Sequence, residues 1–504
     1  MYKLEFTLRQ HTPLIHFQWE QAGATIRPPE LKSKLDKWIL QRKTNCYGLS
    51  DELLKIAKMD ETITPWIKGT RKKDHPALDY KVTINSYGEN SFINEINPSP
   101  TTNRNGHPVL NNNDYPQYFG NQMKYTGNIN DQREEFLTGK KKVKRFSYYP
   151  IVEIILNSVH ESLLKCIEEE FPIFLLHTNF GTRQSKGFGC FYLDKSDKIF
   201  PNEKDGKTDE DFFMKSFDYC FDIKAEGNND HEIVKDLFTQ IDLFYKTIRS
   251  GISPNDKFSM YFKSLMWLYA KSMDLQWEKK SIKQEYFSTY EADQKSNHLE
   301  NNTPLQWKSK KMVEMPPATP ETKAKETNLL WRDLLGLSSE QQWGSYSANI
   351  KKTSINKDPS TRFKSPLLFK PLRTGLHSYR VFFEIPNYIK DAFLTGDRDV
   401  SEAKILGEWF SIIKDGNNRL ELPYPDSFDF DKFFKVAFST NPNSYVKNGD
   451  QIIKPDGTPQ RKKHGKIISE KNENGKWIDK QNPSFYRLQS IFSQLAYQVE
   501  QKNK

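Results

Sequence analysis

Along residues 2–8 apolar side chains take every second position, Tyr2, Leu4, Phe6 and Leu8, with Lys3, Glu5, Thr7 and Arg9 interleaved. A period of two is that of a strand with one buried face. The pair Pro28-Pro29 then opens a segment whose apolar residues Leu31, Leu35, Trp38 and Ile39 fall at helical spacing, leaving Lys32, Lys34 and Lys37 on the opposite face. Alternation returns in Leu78-Asp79-Tyr80-Lys81-Val82-Thr83-Ile84, and Ile151-Val152-Glu153-Ile154-Ile155-Leu156 reads as a buried strand. A helix follows, with Leu163, Leu164, Ile167 and Phe171 on its apolar side and Ser158 as its expected N-cap. Then come Ile173-Phe174-Leu175-Leu176, a glycine-punctuated loop and Cys190-Phe191-Tyr192-Leu193. The order through residue 193 is β-α-β-β-α-β, the split βαβ or ferredoxin-like arrangement. It is interrupted by residues 87–134, rich in Asn, Gly and Pro, which read as a long insertion of the kind that often carries binding segments.

The second half is less regular. A strand is expected at Phe217-Asp218-Tyr219-Cys220-Phe221-Asp222-Ile223, followed by an amphipathic helix carrying Ile233, Leu237, Ile241, Phe244 and Ile248. Another helix would hold Phe258, Phe262, Leu265 and Tyr269, and further strands fall at residues 366–369 and 379–385. Asn301-Asn302, Pro316-Pro317 and Pro320 mark residues 294–328 as a linker or insertion, and Asp456-Gly457 suggests a hairpin turn in a Lys-, Asn- and Gly-rich stretch after residue 440. A chain of 504 residues exceeds what one core usually organises. The expectation is therefore an α+β protein of two ferredoxin-like (RRM-like) modules with long insertions. Residues 1–213 would form the first, with loop 179–191 and insertion 87–134, and residues 214–504 the second, with a helical part and insertion 294–328.

Composition sharpens this picture at three points. Hydrophobic residues make up 36% and aromatic ones 13%, so the chain folds while carrying long polar loops. Lys and Arg number 75 against 65 Asp and Glu, a formal charge of +10, which is compatible with a polyanionic partner. Residues 301–380 hold 14 of the basic and 6 of the acidic side chains, a local excess whose ordinary meaning is a solvated surface. The four cysteines, Cys46, Cys166, Cys190 and Cys220, form no C-x-x-C pair, which leaves zinc and redox readings, and any cofactor, without support. Charges interrupt the first residues where a signal peptide needs an apolar run, and no stretch has the length of a membrane span. A cytoplasmic protein with no membrane partner is expected.

The segment richest in chemistry is Asn179-Phe180-Gly181-Thr182-Arg183-Gln184-Ser185-Lys186-Gly187-Phe188-Gly189-Cys190-Phe191. Glycines let a backbone approach a phosphate, and Thr182, Arg183, Ser185 and Lys186 supply donors and charge. The spacing matches neither G-x-x-x-x-G-K-[ST] nor the three-glycine dinucleotide fingerprint, so ATP and NAD readings are weak. From composition alone, a tight turn between strands with solvated basic residues is the stronger reading.

That balance changes with the string G-T-R-x-S-x-G-F-G-x-F in its place after the second helix. It resembles the glycine-rich loop of the RAMP superfamily of CRISPR-associated proteins. Thr12-Pro13-Leu14 and Arg27-Pro28-Pro29-Glu30-Leu31-Lys32-Ser33-Lys34-Leu35-Asp36-Lys37-Trp38 are similar to that superfamily's first strand and helix, nearest to the family of the first subunit of the Cmr, or type III-B, effector complex. Arg362-Phe363-Lys364-Ser365-Pro366-Leu367-Leu368-Phe369-Lys370 is similar less distinctively. The sequence departs from the pattern in its single Gly181 and in Gln184, where basic residues are common. The resemblance implies assembly with other RAMP subunits, a guide (CRISPR) RNA and its complementary target RNA, with this chain toward the guide 3′ end helping to hold the guide–target duplex. Cleavage in such complexes belongs to a different, repeated subunit, so a noncatalytic role is implied.

On this reading Arg183, Lys186 and Ser185 contact phosphates, with Thr182 and Gln184 beside them, and Gly187 and Gly189 permit close approach. Phe188 either stacks on a base or anchors the loop in the core. Arg27, Lys32, Ser33, Lys34 and Lys37 are second-rank contacts, since a solvated helix face explains them equally. Lys140, Lys141, Lys142, Lys144 and Arg145 form the densest basic run, followed by Phe146, Tyr148 and Tyr149; this suits RNA, and equally a charged edge that protects a strand. Two other functions compete. A metal-independent endoribonuclease processing guide precursors would draw on His11, His16 or His177 as acid or base, and a protein-binding scaffold would need no RNA contact at all.

Overall fold

The alternating residues at the start of the chain form strand β1 (Tyr2–Gln10) in the computed structural model of the protein. The structure describes residues 1–15, 25–68, 77–87, 145–200, 213–252, 260–287, 329–355, 363–439 and 477–502 apart from short breaks, with five further short strands between them. Two compact units result: Met1–Asp242 with Leu367–Pro386, and Leu243–Pro366 with Asn387–Lys504.

In the first unit, helix α1 (Pro28–Thr44) starts on its two prolines, whose missing N–H groups cost nothing there, and ends at Asn45 in the left-handed conformation. Strands β2 (Tyr80–Tyr87) and β3 (Ile151–Ser158), helix α2 (Glu161–Leu176) and strand β4 (Phe191–Leu193) follow. The sheet runs β4–β1–β3–β2 with every pair antiparallel. This is the expected β-α-β-β-α-β order, with the fourth strand beside the first. Register puts Leu4, Leu156 and Val82 in one row and Phe6, Ile154 and Ile84 in the next, so a period of two buries one face. Both helices close over that face, and the Phe6 and Phe171 rings stack at 3.9 Å.

Two local expectations change. Ser158 ends β3 and does not cap α2: its hydroxyl donates to Asp79 O and accepts from the N–H of His160, which is the N-cap residue. Ile173-Phe174-Leu175-Leu176 is the last turn of α2, which runs through Pro172 because Phe174 and Leu175 bury on the same face as Phe171, and Leu176 is buried as well.

A second sheet completes this unit: β5 (Tyr219–Lys224), β6 (Leu368–Arg373) and β7 (Ser378–Glu384) in the order β5–β7–β6, again antiparallel. First, third, second is the order of the first sheet without its fourth strand. Pro371 sits in β6, an edge strand, where its missing N–H removes no ladder bond. Helix α3 (Asp230–Arg249) follows β5 as expected.

The second unit holds a four-stranded antiparallel meander, Glu340–Trp343, Ala348–Ser354, Trp409–Lys414 and Asn417–Pro423 in that order. Phe428, Phe430, Phe433, Phe434 and Phe438 pack as a chain of rings around helix Phe430–Ser439. The helix expected to hold Phe258 and Phe262 begins later, at Leu265, because the Ser264 hydroxyl accepts the Trp267 N–H and caps it there. Met260–Phe262 is a strand paired with Val446–Asn448. Beneath the meander lies a buried charged group. Asp333 bonds Lys352 and, at 3.1 Å, Arg249, while Arg332 meets Glu278 at 3.2 Å. Burial works to raise the Asp333 carboxyl, but Lys352, Arg332 and Arg249 outweigh it and hold it below its ordinary range. At Glu278 burial prevails and the carboxyl is raised.

Within the expected insertion 87–134, Ser99–Thr102 and Pro108–Asn111 pair as a hairpin, which its low aliphatic content did not suggest. Insertion 294–328, the Asp456-Gly457 turn, Lys140, Lys141, Lys142, Lys144 and His16 lie outside the described residues. Among the described residues no helix is long and apolar enough to cross a membrane, and no group of three His, Cys, Asp or Glu could hold a metal.

Candidate functional site

The glycine-rich loop links α2 to β4, and its conformation follows from what presses on it. Gly181, Gly187 and Gly189 have φ of +77°, +90° and +62°, in the left-handed region that side chains avoid. A Cβ on Gly181 would lie 2.5 Å from Ile15 O, one on Gly187 2.8 Å from the Pro371 ring, and one on Gly189 against the Phe180 carbonyl. All three glycines are therefore required by neighbouring protein, and the close approach expected of Gly187 and Gly189 is to protein.

Thr12 fixes the far side. Its hydroxyl donates to Gly187 O at 2.6 Å and accepts from Cys190 N–H at 3.0 Å, while Gly189 N–H donates to Pro13 O and Thr182 N–H to Ile15 O. Phe188 is fully buried with its ring stacked on Phe238 at 3.8 Å, so it takes the anchoring role and not that of a base-stacking platform.

Between these pins the chain makes a single 3₁₀ turn, Gln184–Lys186, led by Arg183. Thr182, Arg183, Gln184 and Ser185 are half-exposed, whereas Lys186, half-exposed as a residue, has its Nζ buried, so the phosphate contact expected of its ammonium is not presented at the surface. Arg183 has φ +62°, one of two non-glycine residues in the left-handed region among the described residues. Such a backbone costs a side-chain-bearing residue about 1–2 kcal/mol. An arginine is thus held where glycine would be relaxed, an outlier of the kind that gathers at binding sites.

Helix α1 faces the loop with a carboxylate. Glu30 Oε1 accepts from Gly181 N–H at 2.9 Å, Lys34 Nζ at 2.8 Å and Gln184 Nε2 at 3.2 Å. Lys34 also donates to Asn179 O at 2.7 Å and lies over the Phe180 ring, and Lys32 donates to Leu78 O at 2.7 Å, pairs with Asp36 and covers the Tyr80 ring. Burial pushes the Lys32 ammonium down. Both lysines, expected on a solvated face, are half-buried and tied to internal oxygens, because a long aliphatic stem can cover apolar surface while its head finds carbonyls. Ser33 and Lys37 are exposed and Arg27 is half-exposed at the start of α1. Arg145 lies on the short strand Arg145–Ser147, paired with Glu95.

The two described histidines among the acid–base candidates are committed inward. His11 is buried, its Nδ1 accepting from Arg373 N–H at 3.0 Å, and burial together with Lys370, Arg9 and Arg373 pushes it down to about 3, against the pull of Asp194. His177 bonds Glu384 and stacks between Trp38 and Phe217 at 5.6 and 5.5 Å. Burial also raises the Cys190 thiol to about 11, which leaves it unreactive near neutral pH.

Four residues that shape the site were not assigned to it from sequence: Thr12, Glu30, Asn179 and Lys370. All four stand inside strings the sequence singled out, but their roles depend on partners more than 140 positions away. Lys370, flanked by Phe369 and Pro371 on a short apolar strand, carries the one local signal, a charge where a buried face is expected.

The family model of the Cmr1 N-terminal domain matches residues 1–252 and that of the Cmr1 C-terminal domain residues 261–464. Among solved structures, the apo crystal structure of Cmr1 from Pyrococcus furiosus is 14% identical, covering 49% of this chain and 73% of that one at a TM-score of 0.26. A chain of the type III-B Cmr-beta complex, bound to cognate target RNA and AMPPnP in the presence of single-stranded DNA, is 11% identical, covering 76% and 93% at 0.29. At such scores the chains do not superpose closely. The search of curated proteins gives no match.

Proposed function

The chain belongs to the Cmr1 family of CRISPR-associated RAMP proteins, and from this premise we propose that it is a noncatalytic, RNA-binding subunit of a type III-B effector complex. Its partners are the other RAMP subunits, the guide RNA and the target RNA paired to it, which it helps to hold near the guide 3′ end. The first sheet, ordered β4–β1–β3–β2, is read as a ferredoxin-like RAMP module, and β5–β7–β6 as a second one lacking its fourth strand.

The observation that carries RNA contact is the turn from Arg183 to Lys186. A basic side chain and a hydroxyl, those of Arg183 and Ser185, are half-exposed on a backbone fixed from three sides, and Arg183 is kept at left-handed geometry. A rigid, charged turn suits recognition of a ribose-phosphate backbone by charge and shape, with base pairing supplying the sequence specificity. The glycines shape this turn, and the side chains of Arg183 and Ser185 do the contacting, with Ser33, Lys37 and the half-exposed Arg27 as further donors.

Of the three histidines on which a nuclease reading would draw, His16 lies outside the described residues and the other two are engaged. His11 stays neutral with its Nδ1 engaged, and the His177 ring is enclosed by two aromatic rings and Glu384.

The test is co-purification of the tagged chain from cells that also express its genomic neighbours and a CRISPR array, with sequencing of bound RNA. Repeat-derived guides accompanied by RAMP subunits are expected, and depleted when Arg183→Ala and Lys186→Ala are combined. Recovery without guides or RAMP partners would overturn the reading and favour a scaffold.

A further inference from the structure

We propose that Lys370 is the positioning residue of the glycine-rich loop: its ammonium, reaching in from β6, sets the geometry with which Arg183 and Ser185 meet RNA. The proposal rests on the RNA-binding reading above and names the residue, far away in sequence, on which that site depends.

Lys370 Nζ is fully buried and surrounded by oxygen. It donates to Leu175 O at 2.5 Å, Thr178 O at 2.8 Å, Phe191 O at 2.9 Å and Asn179 Oδ1 at 3.2 Å. Leu175 O belongs to the last turn of α2, where the helix dipole is negative and acceptors have no intrahelical partner, and Thr178 O follows just past the C-cap residue His177. Phe191 opens β4. One cation therefore joins the residue range that enters the loop to the strand that leaves it. Asn179 extends the same grip: its Nδ2 donates to Gln184 O in the turn and to Phe369 O beside Lys370, both at 2.8 Å. Pro371, the next residue on β6, is what a Cβ at Gly187 would strike. Three consecutive positions of one strand, 369, 370 and 371, thus bear on both ends and the middle of the loop.

A buried ammonium is costly to desolvate, and here the four oxygens it donates to are neutral, with the Cys190 thiol also hydrogen-bonded to it and the Glu384 carboxylate acting only through its charge. An apolar residue on β6 would fill the space against the core, yet could not gather three main-chain carbonyls about one point. Neither would arginine, whose planar fork presents donors in a single plane. The site calls for a compact, charged donor with three hydrogens.

The experiment uses the full chain in four forms: wild type, Lys370→Met, Asn179→Ala and Lys370→Ala. Hydrogen exchange of peptides covering residues 177–191 is read beside affinity for a guide–target RNA duplex over a salt series. In Lys370→Met we expect exchange in this loop to rise at least tenfold, with strand β1–β3 peptides unchanged, and RNA affinity to fall about tenfold with a shallower salt slope. Asn179→Ala, a milder loss, should show the same pattern at smaller size, and it decides the matter should Lys370→Met not fold. In Lys370→Ala, propylammonium at matched ionic strength should restore loop protection and affinity, where tetramethylammonium, which has no N–H, should not. Wild-type exchange and affinity in a folded Lys370→Met or in Asn179→Ala would overturn the proposal. Loop exchange that rises as expected in a chain whose wild type binds no RNA would instead sink the RNA-binding reading and leave the positioning contact standing.

Discussion

Lowering the pH should weaken the first unit through one histidine. His11 is buried at the end of β1, its Nδ1 an acceptor for Arg373 N–H, with Lys370, Arg9 and Arg373 facing it and only Asp194 favouring its charged form. Its folded-state pKa is held down to about 3 from an ordinary 6.5. The unfolded chain takes up a proton below 6.5 and the folded chain does not, so this contribution is fully present above 6.5 and is lost as pH falls toward 3. At a slope of about 1.4 kcal/mol per unit, moving from pH 7.5 to 5.5 costs about 1.4 kcal/mol from this group alone. The perturbation is His11→Asn, whose Oδ1 can accept from Arg373 N–H but does not titrate. Urea unfolding at the two pH values, by far-UV circular dichroism, gives the assay. Wild type should lose about 1.4 kcal/mol more than the variant between them. Equal losses would refute the reasoning, since they would mean that the folded site accepts a proton at His11 as readily as water does.

The remaining expectations test other parts of the account. Lys352→Met should cost about 3–5 kcal/mol, because Asp333 loses its closest cation in a fully buried setting, and adding Asp333→Leu should recover part of that in the same urea assay. Gly416→Ala, at φ +83° with open space around it, should cost about 1–2 kcal/mol, whereas Gly189→Ala adds a clash with the Phe180 carbonyl and should lower the thermal midpoint much further. Arg183→Gly should leave the thermal midpoint unchanged or raised, while RNA affinity falls and the log–log salt slope drops by about one.

How far the sequence could be read depended on the range over which each residue acts. The strands and helices of the first unit were legible because Leu4, Phe6, Leu8 and Leu31, Leu35, Ile39 declare their buried faces by spacing alone, and the structure buries all six. The order of the first sheet followed from those elements. The interior of the site was not legible. Lys32 and Lys34 have the spacing of a solvated face and the length to reach Leu78 O and Asn179 O, and spacing does not report reach. The reason for each glycine lies in Ile15, Pro371 and Phe180, of which only the last is a near neighbour in sequence. Phe188 left two readings open until Phe238 was found stacked upon it.

The most direct test of the central claim is ultraviolet cross-linking of the chain within its assembled complex, with cross-linked nucleotides mapped onto peptides by mass spectrometry. Adducts concentrated in the peptide spanning residues 182–186, and lost with Arg183→Ala/Lys186→Ala while the complex remains intact, are the predicted result. RNA cross-links confined to other subunits, with none on this chain, would contradict it.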